Sequence, residues 1–281
     1  MGTWPLPTTP IDDLDLTFVD VETTGLDHTT GDRVCEIALL RVRGDQEIAR
    51  FESLVYPQRL MTPGAMAVNG ITDAMLVDAP PFAAVLPQVN TLLQDAVLVA
   101  HNARFDVGFL RHEWQVAGQT LPSLAVVDTL ALAQARYRFR HNSLGAIASE
   151  LGIIPTALHR AMADVLVTWQ VWQCFVAHMR QEGPVTLAHV MYPHSRRSVD
   201  ELAAMIMALQ DAIPTGKPLQ LRYQPEKAPE TVRVVQPLEV YYERGHGYIR
   251  AFCHLRQEER HFRFDRIAEL KALNEDQASG C

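Results

Sequence analysis

Residues 16–25 read LTFVDVETTG, and their alternation decides the fold. Leu16, Phe18, Asp20 and Glu22 fall on one side of an extended chain, with Thr17, Val19 and Val21 on the other, so the stretch is a strand that ends at Thr23-Thr24-Gly25. That strand delivers two acids from one face at its end. Arg33–Arg43 (RVCEIALLRVR) and Ile48–Tyr56 read as two further strands separated by the turn signal Gly44-Asp45, which predicts a three-strand antiparallel meander.

Working outward, the stretch from Pro57 to Asp95 mixes loop with helical pattern, and a helix is expected from Pro80-Pro81 through Leu93. Ala96–Ala100 (AVLVA) is a short apolar strand flowing into a helix over Arg104–Val116, and Leu124–Thr129 is another strand. A helical run follows His141-Asn142-Ser143 through Leu151, and Ala157–Met179 has the pattern of a long amphipathic helix. Strands first, then helix and strand in alternation, imply an α/β fold with a mixed sheet covered by helices on both faces. Gln181–Lys217 is punctuated by Gly-Pro, Tyr-Pro-His and Arg-Arg and carries one capped helix from Ser198 to about Ala212. Beyond it, Leu219–Tyr223, Thr231–Tyr242, Gly247–Leu255 and Glu259–Phe264 read as four strands of a small all-β module. The expected division is therefore an α/β domain over residues 1–180, a linker over 181–217 and a β domain over 218–281.

The composition, 48% hydrophobic and 21% charged over 281 residues, is that of a soluble globular chain. No apolar run approaches the ~20 residues of a membrane span. The N-terminus lacks the layout of a signal peptide, so a cytoplasmic location away from membranes is expected. Cys35, Cys174, Cys253 and Cys281 are scattered without metal or disulfide spacing and read as reduced thiols. The net charge of −8 excludes a basic nucleic-acid coat. All of it arises before residue 210, where fourteen Arg and no Lys face twenty-two acids. Some of those acids are candidates for holding metal.

Asp20 and Glu22, two apart on a strand, leave the same face and can grip one cation between them. Asp106 follows the strand AVLVA and the turn His101-Asn102-Ala103, and sites in open α/β sheets form at such carboxyl ends, so it can approach the pair. His159 and Asp164 are five residues apart. On a regular helix that separates them by ~140°, so His159 is expected on a loop before the helix while Asp164 points in from it.

Jointly, FVDVETTGL at Phe18–Leu26, AHNARFDVGFL at Ala100–Leu110 and HRAMAD at His159–Asp164 resemble the DEDDh exonucleases of the DnaQ-like superfamily, which includes the proofreading epsilon subunit of bacterial DNA polymerase III. The resemblance spans about residues 15–178. It implies an RNase H-like fold and two divalent cations, Mg²⁺ or Mn²⁺, with Asp20, Glu22 and Asp164 as direct ligands and Asp106 acting directly or through water. It makes His159 the general base, a task suited to the ordinary imidazole pKa near ~6.5. It also makes Thr23, Leu26, Asn69, His101, Asn102 and Phe105 candidates for holding the terminal nucleotides. Relatives often carry His-Gly-Ile where this chain has Asn69-Gly70-Ile71. Asp128-Thr129 is expected to serve the fold through hydrogen bonds. Arg136, Arg138 and Arg140, interleaved with Tyr137 and Phe139, are candidates for a phosphate-contacting face.

Residues from about Leu219 to Ile267 are similar to the WYL domain, which implies a small SH3-like or Sm-like β barrel. The similarity rests on QLRY (220–223), RVVQPLEV (233–240), GYIRAFCHLR (247–256) and RHFRFDRI (260–267), with Gly247-Tyr248-Ile249 standing where the signature has Trp-Tyr-Leu. In such a module Arg250, Arg256, Arg263 and Arg266 could recognise phosphate. The leading expectation is a metal-dependent 3′-to-5′ exonuclease acting on single-stranded DNA or 3′ ends to release nucleoside 5′-monophosphates in DNA repair. RNA or short oligonucleotides are the alternative substrates, and a ligand-sensing WYL regulator with a secondary nuclease domain is the alternative class. No polymerase partner is indicated.

Overall fold

The computed structural model describes residues 5–154, 159–195, 197–243 and 246–273. Strand β1 (Asp15–Thr23) pairs antiparallel with β2 (Val34–Arg43), and β2 with β3 (Gln46–Leu54), as the alternation requires. Helices α1 (Pro63–Asn69), α2 (Asp73–Leu76) and α3 (Phe82–Leu93) lead into β4 (Val97–Ala100), parallel to β1 with Phe18 beside Val99. Helix α4 (Ala103–Val116) then connects to β5 (Val126–Asp128), parallel to β4, completing a mixed sheet of order β3-β2-β1-β4-β5. Helices α5 (Thr129–Arg136) and α6 (Leu144–Glu150) precede the long α7 (Ala161–Met179).

The sheet is covered on both faces. All four residues of β4 are buried, which is what a strand with helices above and below requires. Phe18 meets Trp172 of α7 edge to face, ring centroids 6.2 Å apart, while Thr17 on the opposite face donates its hydroxyl to Leu92 O of α3 at 2.6 Å. Helix α7 therefore lies over the face that carries Asp20 and Glu22. It begins at Ala161, later than the expected Ala157, and residues 157 and 158 lie outside the described residues. Between β3 and α3, where the sequence pattern was mixed, Thr62 caps α1 by accepting from Ala65 N at 3.2 Å with Pro63 in the first turn.

Compactness divides the chain into one unit of Pro10–Val185 and a second running from Thr186 onward together with the first residues up to Thr9. In the second, α8 (Leu187–Met191) and α9 (Val199–Thr215) precede β6 (Leu219–Tyr223), β7 (Thr231–Glu243), β8 (His246–Cys253), β9 (Glu258–Arg263) and β10 (Ile267–Ala272). Ser198 and Glu201 cap α9 reciprocally. All pairings are antiparallel, in the order β10-β6-β7-β8-β9. The expected four-strand barrel is thus a five-strand open sheet. A 3-10 turn at Phe264–Arg266 carries the chain to the far edge beside β6, and β9 and β10 share no ladder among the described residues. The missing signature tryptophan also has a steric cause, because a Cβ on Gly247 would come within 2.6 Å of the Phe264 ring and 2.8 Å of Tyr192.

Helix α4 is tied to β2 through Glu113, 1% exposed, which accepts from Arg33 Nε and Nη2 at 2.7 Å each and from Val34 N at 3.0 Å. Glu113→Ala strands a half-covered guanidinium and a buried amide, and is expected to cost about 3–5 kcal/mol in denaturant unfolding. Glu47→Ala, which removes the exposed partner of Arg50, should cost less than about 1 kcal/mol. Equal costs would contradict the tie.

Candidate active site

Strand β1 ends by presenting Asp20 and Glu22 from the face under α7, and the first turn of α7 supplies Asp164. One carboxylate oxygen from each of the three lies within 4.8 Å of the others. Asp164 Oδ2 accepts the backbone N–H of His159 at 3.2 Å, whereas its Oδ1 is buried without a hydrogen-bond partner. Asp106, in the first turn of α4, is 2% exposed and stands outside the trio, with Oδ1 accepting Val21 N–H at 3.2 Å. His159 is exposed on the loop before α7 with φ 61°, a left-handed backbone uncommon for a residue with a Cβ.

Crowding of like charges governs this group. Burial, then the charges of Asp106, Asp164, Glu22 and Glu36, hold the Asp20 carboxyl well above its ordinary range. Glu22 is pushed up to about 7, chiefly by burial and then by Asp164, with a hydrogen bond from Asn69 opposing. Burial also raises Asp106 and Asp164, the latter opposed by His159. Unless neutralised, the site favours protons over negative charge, and a hard divalent cation removes that penalty. The residues fit such an ion: the trio offers only carboxylate oxygen, and Asp164 Oδ1 has an unused lone pair facing no protein donor.

A pair absent from the expected residues sets the entry of α7. Glu36 sits opposite Glu22 in the β1–β2 ladder, 5% exposed. It receives Arg160 Nη2 at 2.6 Å and Nε at 3.1 Å, and also accepts Ala161 N–H at 3.0 Å. The same carboxylate therefore caps α7 and anchors the residue after His159. A buried acid within the apolar run VCEIALL was the available sequence signal.

The remaining expected residues separate by what already occupies them. Leu26 is 86% exposed, and Phe105 is half-buried against Phe109 with ring centroids 4.9 Å apart. Asn102 is exposed in the left-handed region at φ 64°, held by its N–H to Asp128 Oδ1 at 3.0 Å. Asp128 also accepts Leu130 N and Ala131 N, so it serves the fold as expected. Asn69 is buried and turned inward, bonding Glu22, Thr23 O at 3.4 Å and Ile71 N at 3.0 Å, so it orients a carboxylate. His101 uses both ring nitrogens within the protein, on Thr129 Oγ1 at 3.0 Å and Asn142 O at 2.9 Å. Thr23 is buried and donates its hydroxyl to Gly25 O at 2.5 Å. Gly25 is required there, because a Cβ would fall 2.2 Å from Asp32 Oδ2. In the second unit, Arg250 donates to Glu239 and Glu259, Arg263 to Asp265 and Arg266 to Glu226, so three of the four candidate phosphate contacts are answered within the module.

A family model described as Exonuclease matches residues 17–172. The chain belongs to this family. The three segments that carry the DnaQ-like DEDDh resemblance, residues 18–26, 100–110 and 159–164, all fall within the match. The WYL domain model matches residues 204–272, from within α9 through the whole antiparallel sheet. The DNA polymerase III subunit epsilon of Treponema pallidum is 34% identical over 194 residues, covering 67% of this chain and 88% of that one. A PolC-type DNA polymerase III of Thermotoga maritima is 37% identical over 180 residues, 63% of this chain, yet the chain spans only 13% of its length. The fold of an E. coli exonuclease I–single-stranded DNA complex in a zinc-bound form is shared at TM-score 0.56 and 20% identity, over 85% of this chain and 55% of that one. Among the described residues of this exonuclease, no helix is long and apolar enough to cross a membrane.

Two outcomes follow from the crowding and from the Glu36 tie. Because the Glu22 pKa is about 7 in the fold against an ordinary 4.5, its contribution to ion-free stability is full below about 4.5 and lost as pH rises through about 7. In EDTA, thermal unfolding should therefore fall with pH across that window, less so for Glu22→Gln, and Mg²⁺ or Mn²⁺ should restore it; curves unaffected by either change would refute the account. Glu36→Ala should lower exonuclease turnover by about tenfold or more through misplacement of the His159–Asp164 segment, with a smaller loss for Glu36→Gln.

Proposed function

We propose that this protein removes nucleotides one at a time from the 3′ end of DNA, preferring single strands, and releases nucleoside 5′-monophosphates in a repair role. The observation that carries the reading is the convergence of Asp20, Glu22 and Asp164 beside an unpartnered Asp164 oxygen, with His159 exposed at the rim. The single-stranded DNA named for exonuclease I, a relative in fold, supports the substrate.

In this mechanism Asp20, Glu22 and Asp164 hold the divalent ions, and Asp106 completes the set directly or through water. Two such ions, Mg²⁺ or Mn²⁺, would supply activation of the attacking water and stabilisation of the departing 3′ oxygen. His159 takes the water proton at its imidazole and passes it to solvent, a transfer made easy by its exposure. Its backbone N–H, fixed on Asp164 Oδ2, keeps the ring beside the carboxylates. Leu26 and Phe105 offer apolar surface to the terminal bases, and the Asn102 side chain lies at the turn where a phosphate would arrive.

Strands labelled at the 5′ or 3′ end, as single-stranded DNA, duplex DNA and RNA, test the reading with Mg²⁺, Mn²⁺ or EDTA. A 5′ label should appear in a descending ladder and a 3′ label in a mononucleotide at once. DNA should be cut faster than RNA, single strands faster than duplex, and EDTA or Asp20→Ala should abolish both products. His159→Ala should lower turnover by about 10²–10⁴-fold. Activity persisting in EDTA, or an internal cleavage pattern, would overturn the proposal.

A further inference from the structure

The segment after α5 alternates exposed arginine with half-buried aromatic: Arg136, Arg138 and Arg140 are exposed, Tyr137 and Phe139 half-buried. Tyr137 leaves the helix with extended backbone, φ −123° and ψ 169°, which starts the alternation. Its ring stacks on Phe175 of α7 at 4.4 Å and on Phe139 at 5.5 Å, and its hydroxyl donates to Phe175 O at 3.3 Å. The aromatics thus fasten the segment to α7. The guanidinium groups are left on its outer side.

Their partners separate the three arginines. Arg136 is paired with Glu182, whereas Arg138 and Arg140 have no ion pair among the described residues. That contrasts with Arg33, Arg41, Arg43, Arg50, Arg59, Arg160 and Arg180, each of which has a carboxylate partner. Two neighbouring cations without partners, in a region whose acids outnumber its bases, are available to an external anion. The backbone beyond them is fixed: Arg140 N–H donates to Glu150 Oε1 at 2.9 Å, and Asn142 O contacts His101 Nε2 at 2.9 Å. His101 directly precedes Asn102 and the helix that brings Asp106 to the site. The strip therefore runs from the Phe175 end of α7 back to the turn before the helix that carries Asp106.

We propose that Arg138 and Arg140 bind the sugar-phosphate backbone of the uncut part of the strand, upstream of the bond being hydrolysed. This rests on the exonuclease reading and deepens it by giving the substrate a second contact line. Arg138 and Arg140 are exposed on either side of the half-buried Phe139, so both guanidinium groups are open to phosphates of one strand. Guanidinium is suited to phosphate oxygen by its planar donor fork. No base is read, so the contact adds affinity and processive hold with no sequence preference.

The test uses the full chain and 5′-labelled oligodeoxynucleotides of two and of twelve nucleotides. Arg138→Gln/Arg140→Gln should raise KM for the longer strand by about tenfold with kcat held within about twofold, and flatten the slope of log(kcat/KM) against log salt by about 1.4. Cleavage of the dinucleotide, which has no internucleotide phosphate upstream of the scissile bond, should change less than about twofold. Arg138→Lys/Arg140→Lys should restore most of the affinity, and Arg136→Gln should have less than about a twofold effect. Equal losses on both lengths, or an unchanged salt slope, would overturn the proposal. Fluorescence anisotropy of the twelve-nucleotide strand in EDTA gives a reading independent of cleavage. Weaker binding by the double Gln variant supports the strip even if the wild-type chain cuts nothing, and equal binding refutes it even if the wild-type chain is active.

Discussion

Like charges held close together are the constraint on which the first unit depends. Burial lifts the pKa of Asp20, Glu22, Asp106 and Asp164, and the charge of Glu36, itself paired with a guanidinium, acts on three of them. Water would separate such charges; the sheet and its helices prevent it. Strand β1 cannot release its acids without breaking ladders on both sides, and α7 is held over them by Phe18 against Trp172. The apolar packing therefore stores a cost that a divalent cation would relieve.

Glu36 shows how the same crowding is put to structural use. It faces Glu22 across a ladder and adds to the repulsion. The same carboxylate is held by Arg160 and by the first amide of α7, so its charge also serves as the cap that fixes the helix entry. The strained backbone at His159 lies one residue before that cap. A side chain in the left-handed region is tolerated when the backbone around it is pinned, and here Arg160 is pinned by Glu36 and the His159 amide by Asp164.

Local pattern made much of this legible in the sequence. The period-two stretch at Leu16–Glu22 set β1 and the side from which its acids emerge, and helical rotation alone placed His159 off the helix that carries Asp164. The matches of family and fold agree with the three-motif resemblance. What escaped was set by distance along the chain. Glu36 meets Arg160 across more than a hundred residues, and the engagement of His101 depends on Asn142, so neither could be read from spacing. The open sheet escaped for a similar reason: β10 pairs with β6 across three intervening strands, and closure depends on whether two remote edges meet. Gly247 looked like a degenerate signature, and only Tyr192 and Phe264 reveal that no larger side chain fits.

Among the described residues, the unclosed sheet leaves two edge strands, β9 and β10, each with a ladder partner on one side alone. The outer rows here are written in charge: Glu258, Glu259, Arg260 and His261 are all exposed on β9, and Glu269 and Lys271 pair on β10. An incoming strand would have to strip water from these ions, which makes edge-to-edge growth unfavourable. Colloidal behaviour of the second unit is thus decided at its margins, by residues that contribute little to its core and whose replacement by valine or isoleucine would turn a solitary sheet into a template.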